Sequence, residues 1–131
     1  MEEKPRLAPE LVEDFVRNSH GDFERVNELI EQEPALVNAT WDWGRGDWET
    51  GLGAASHVGS REIALFLLEH GARMDLFAAT MLGKLEIVKA TIEAFPEVLN
   101  TPGPHGIPLI VHAQMGGEDA EEVLEYLQAL S

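Results

Sequence analysis

The sequence predicts an all-α protein built as a short curved stack of helix pairs, and three observations carry that expectation. A helical stripe recurs three times, each copy opened by a glycine: "GDFERVNELI" from Gly21, "GSREIALFLL" from Gly59 and "GKLEIVKATI" from Gly83. Each copy places one pair of residues four and five positions after its glycine and another at eight and nine, the spacing of one face of an α-helix. A shorter stretch rich in small residues precedes each glycine, "DFVRNSH", "LGAASHV" and "LFAATML", and small side chains let two helices approach closely. A fourth copy, "PLIVHAQMGGEDAEEVLEYL", turns at Gly116 and ends in an acidic helix whose polar outer face suits the cap of a stacked array.

The units fall at about 9–39, 40–75, 76–100 and 101–131 of a single domain, the size a chain of 131 residues supports. In the first, Val26, Leu29 and Ile30 make the stripe, and Arg25 is its polar exception. The second begins with "TWDWGRGDWET", where Trp and Asp alternate as along a strand and "GRG" supplies the turn of a short hairpin. Its stripe is Ile63/Ala64 with Leu67/Leu68. Asp75 is the expected N-cap of the third unit, whose stripe is Ile87/Val88 with Thr91/Ile92. The fourth follows a Pro/Gly-rich segment, "NTPGPHGIP", and carries Ala120, Val123, Leu124 and Leu127.

In "TGLGAASHVGSREIALFLLEHGARMD" (50–75) and "IPLIVHAQMGG" (107–117) the chain resembles the ankyrin repeat family. That family's unit reads approximately T-P-L-H-x-A-A-x-x-G-H, with a second helix ending L-L-x-x-G-A. The resemblance runs from about Pro9 to Leu130. Gly51 stands where Pro is usual, Gly53 and Ile110 where His is usual, and Ile107 where Thr is usual, so the family's hydrogen-bond staple at that turn is expected to be missing in both repeats. What the resemblance implies is a solenoid of helix–turn–helix repeats with hairpin-like fingers, in a family made mostly of non-enzymatic protein-binding scaffolds.

The glycine spacings add an expectation about shape. Gly21 to Gly59 is 38 residues, Gly59 to Gly83 is 24 and Gly83 to Gly116 is 33, against a family period of about 33. The first finger is therefore enlarged and the second is missing, which predicts a notch over the third repeat. Counting back two and one from each glycine places His57/Val58, Met81/Leu82 and Gln114/Met115 on its floor. Trp41, Trp43 and Trp48 would wall one side and His105 the other.

Charge and composition limit what such a notch holds. Nine basic against 24 acidic residues give −15, a field that repels phosphate backbones and anionic lipid head groups, so neither nucleic acid nor membrane is expected as a partner. The absence of cysteine removes disulfides and thiolate chemistry and leaves the compartment open. Charges throughout Met1 to Ile30 leave no signal-peptide core, and a cytoplasmic monomer is expected. The leading expectation is a non-enzymatic recognition module for a basic peptide or protein. Trp41, Trp43 and Trp48 would anchor it, Asp42, Asp47 and Glu49 would orient a cationic group, and Met81 with Leu82 would form the floor.

Each assignment has a plainer counterpart. The tryptophans also suit packing of a long finger onto the repeats, the carboxylates suit turn and N-cap positions, and Met81, Leu82 and Met115 suit a core. A rival function uses the same notch for a small molecule or an enzyme, with His57, Asp47 and His105 as acid–base groups. No nucleophile–base–orienter spacing supports assigning catalytic residues, and no cofactor is expected. His105 and His112 flank Pro108 without the i, i+4 spacing of a helical zinc motif, so no metal site is expected. His20 and His70 adjoin helix-ending glycines, and His70 is expected as a cap residue. "GLGAAS" (51–56) lacks the strand and acidic partner of a dinucleotide fingerprint, and "RGD" (45–47) is a chance tripeptide.

Overall fold

The structure, a computed structural model, describes residues 4–131. Among the described residues it holds eight α-helices and one two-stranded antiparallel sheet. The helices come in consecutive pairs: α1 (Pro9–Asn18) with α2 (Phe23–Gln32), α3 (Gly51–Val58) with α4 (Arg61–Glu69), α5 (Leu76–Met81) with α6 (Leu85–Ala94), and α7 (Leu109–Met115) with α8 (Glu121–Ala129). The first members touch in chain order, α1 on α3, α3 on α5, α5 on α7, and α7 also reaches α3. A mainly helical class is thus as expected. No helix among the described residues is long and apolar enough to cross a membrane.

Local chemistry sets the helix starts. Pro9 opens α1, where its missing N–H costs nothing, and the side chains of Asp22, Thr50 and Asp75 accept from the N–H groups of Arg25, Gly53 and Ala78 to cap α2, α3 and α5. The Asp75 cap is the one expected. His70 also caps as expected, its Nδ1 lying 2.8 Å from the carbonyl of Phe66. The stripes are buried in part: Val26, Leu29 and Ile30 from α2, Ile63, Ala64 and Leu67 from α4, Val88 and Ile92 from α6, and Ala120, Val123 and Leu127 around α8 are buried, whereas Ile87 is exposed and Leu68, Thr91 and Leu124 are half-buried. Arg25, the exception, turns outward and pairs with Asp14 and Glu28.

The strands β1 (Thr40–Asp42) and β2 (Trp48–Thr50) form the expected hairpin, with Trp41 opposite Glu49 and Asp42 opposite Trp48. Gly44, Arg45 and Gly46 all have positive φ in its turn, and Asp42 Oδ1 accepts from the N–H groups of Gly44 and Gly46. Between α4 and α5 no strand forms, so the second finger is absent as the spacing implied.

The notch is not there. Met81 and Leu82, expected on its floor, are 1% and 2% exposed and belong to the core. Their side chains join the cluster that includes Phe15, Leu52, Ile63 and Leu67. Gly116 abuts the carbonyl of Met81, and a Cβ there would meet that oxygen at 2.2 Å; a Cβ on Gly83 would meet the carbonyl of Asp119 at 1.9 Å. Without an intervening finger, the turn at residues 117–120 packs on the end of α5. The third finger also reaches back over the second unit, placing Pro104 against Gly53.

Candidate metal centre

Four segments, two of them adjacent in sequence, meet at the hairpin. β2 turns Glu49 inward, where the residue is 1% exposed, while its neighbour Trp48 faces out at 59%. The turn after α1 supplies His20, the last turn of α3 supplies His57, and the third finger supplies His105. One donor atom from each lies within 4.8 Å of all the others. His20 Nε2 is 3.1 Å from Glu49 Oε1; His57 Nε2 and His105 Nε2 are 3.0 and 3.2 Å from Glu49 Oε2. The Nε2 atoms of His20 and His57 are 3.1 Å apart.

The outward sides of two rings are already committed. His20 Nδ1 sits 2.9 Å from the carbonyl oxygen of Arg17, and His105 Nδ1 sits 2.7 Å from Asp47 Oδ2. A carbonyl and a carboxylate only accept, so both Nδ1 atoms carry the hydrogen, and in the neutral rings Nε2 presents its lone pair to the cluster. Asp47 grips His105 twice, since its Oδ1 also accepts from the His105 backbone N–H at 2.8 Å. That grip holds His105 at φ 61°, a left-handed conformation that costs an L residue about 1–2 kcal/mol. Trp43 Nε1–H donates to Glu49 Oε1 at 2.9 Å. Its ring stands edge-on to His20 and tilted to His105, with centroids 6.3 and 6.2 Å away.

The electrostatics follow from these contacts. Burial alone would push the Glu49 carboxyl up, but the close imidazoles of His20 and His57 in their protonated form and the Trp43 N–H outweigh it and hold the group far below the ordinary carboxylate range. His20 is raised, first by its contact with Glu49, against the opposing effect of burial. Asp47 is lowered, first by the His105 backbone N–H. Glu49 therefore stays an anion in the interior. Yet its Oε2 accepts no hydrogen bond, although two imidazole nitrogens lie within 3.2 Å of it. Those nitrogens are near the oxygen without hydrogen-bond geometry toward it.

Of the residues picked from the sequence, Glu49, His57, Asp47 and His105 come together, with Trp43 against them. Trp41 packs on the core beside Trp43, so the hairpin splits the tryptophans into two inward and one outward. Asp42 is committed to its own turn. Met81 and Leu82 lie in the core, as described above. His112, paired with His105 in the sequence reading, is instead fully buried, its Nδ1 2.9 Å from the Pro108 carbonyl and its ring packed on Phe77.

His20 was missed. The count that produced His57/Val58 before Gly59 yields Ser19/His20 before Gly21, so its signal lay in the repeat register. Compared with known proteins, the chain matches no protein-family model and no curated protein, so what it does has to be argued from the geometry of this cluster.

Proposed function

We propose that this protein binds one divalent first-row transition-metal ion through His20, Glu49, His57 and His105. The observation that carries the reading is Glu49 Oε2: a buried oxygen without a hydrogen bond, faced by the Nε2 atoms of His57 and His105, with the far side of the His105 ring fixed by the Asp47 carboxylate. An Asp–His pair of this kind, Asp47 with His105, is the usual outer support of a ligating histidine. Three imidazoles and one carboxylate favour zinc, iron, cobalt, nickel or copper over magnesium and calcium, which prefer oxygen alone. Protein stripped with chelator and titrated calorimetrically with zinc should take up one equivalent, and His57→Ala should abolish it. Uptake that is absent, or unchanged in His57→Ala, overturns the reading.

The scaffold is best read as a short ankyrin-like solenoid. What supports this is the run of four helix pairs whose first members touch in order, in register with the repeated glycines. The expected role in protein or peptide recognition keeps one supporting observation, the indole of Trp48 on the outer face of the hairpin. Basic peptides that use it should shift the tryptophan emission, and Trp48→Ala should remove the shift. If no peptide moves the emission, recognition at this face is excluded.

A further inference from the structure

We propose that the bound ion keeps an exchangeable coordination position between His20 and His105 and takes small anions there; this rests on the metal reading above. Two independent observations point to it. The first is the set of ligand separations. Taking Oε2 as the Glu49 donor, the close pairs are 3.0 Å to His57, 3.2 Å to His105 and 3.1 Å between His20 and His57. With bonds of about 2.1 Å, a tetrahedron separates every pair of ligands by about 3.4 Å, whereas right angles give about 3.0 Å. The 3.0 and 3.1 Å edges are nearer to right angles and the 3.2 Å edge lies midway, which suits five- or six-coordinate ions better than a regular tetrahedron. Four protein ligands leave such an ion at least one vacant position.

The second is the uneven burial around the cluster. The side chain of Glu49 is 0% exposed and that of His57 12%, so they form the floor; His20 at 28% and His105 at 32% form a rim open to water. Trp43, lying beside both rim imidazoles, gives that opening an apolar wall. A divalent ion with a single carboxylate ligand also keeps a net positive charge, which favours an anion over a neutral ligand at the vacant position.

The test uses the full chain loaded with cobalt(II), whose visible bands report coordination number, and azide as the anion. A weak five- or six-coordinate spectrum that shifts saturably with azide, while dialysis shows cobalt still at one equivalent, is the expected result. An intense tetrahedral spectrum that azide does not move overturns the open position and leaves the metal site standing. Azide that strips the cobalt overturns it too. Failure to bind cobalt at all removes both.

Discussion

Asp47→Asn isolates the support of the metal centre from its ligands. Asp47 touches no proposed coordination position; it acts on His105, accepting from the ring Nδ1–H at 2.7 Å and from the backbone N–H at 2.8 Å. Asparagine is nearly isosteric but can offer its oxygen to only one of these donors, and its NH₂ faces the other. His105 is then less firmly held in its left-handed conformation, and its Nε2 loses basicity as the negative partner of Nδ1 disappears. Loss of such outer partners typically weakens metal binding about 10- to 100-fold. With Asp47 and His105 each about a third exposed, the lower half of that range is expected, about 10- to 30-fold. Competition against a chromophoric zinc chelator reads the change directly. His105→Ala, which already lacks the ring, should show little further loss when Asp47→Asn is added. An affinity within about twofold of the parent, or a full second loss in the double variant, would refute the account of Asp47 as a support acting through His105.

Three other outcomes follow from the packing. Gly83→Ala should destabilise the fold by about 2–4 kcal/mol, because φ there is +79° and the new methyl would strike the Asp119 carbonyl; denaturant unfolding measures this, and a neutral result would contradict the docking of the fourth repeat on α5. Asp75→Ala should cost about 1 kcal/mol through the lost cap on α5, while Asp75→Asn keeps an acceptor for Ala78 N–H and sheds a charge that burial disfavours, so in thermal unfolding it should be the more stable of the two. His112 is lowered chiefly by burial, with the Pro108 carbonyl opposing. A histidine lowered in the folded state takes up its proton first in the unfolded chain. Its contribution to stability is therefore complete above the ordinary value of 6.5 and declines as pH falls below it. Metal-free protein should lose stability between pH 7 and pH 5 more steeply than metal-free His112→Leu, and parallel urea profiles would show that His112 is not the group responsible.

Much of this protein is legible along the chain because helices, caps and tight turns are short-range objects. The i, i+4 stripes, the Asp75 cap and the Gly-Arg-Gly turn each depend on residues within a few positions of one another, and each forms where the pattern says. The alternation of "WDW" likewise puts Trp41 and Trp43 on one side, inward. Tertiary packing decided the rest. Whether Met81 and Leu82 face water depends on how α5 packs on α3, and burying apolar surface placed them in the core with Leu52, Ile63 and Leu67. Hairpin register, set by pairing Trp41 with Glu49, turned the carboxylate inward and Trp48 out. The proposed ligands come from three separate stretches of the chain, at residue 20, at 49–57 and at 105, and only Glu49 and His57 are close in sequence. The glycines along the chain place His20 and His57 at the ends of α1 and α3. Only the folded stack, with one finger bent back over another, determined that they would meet around a single carboxylate.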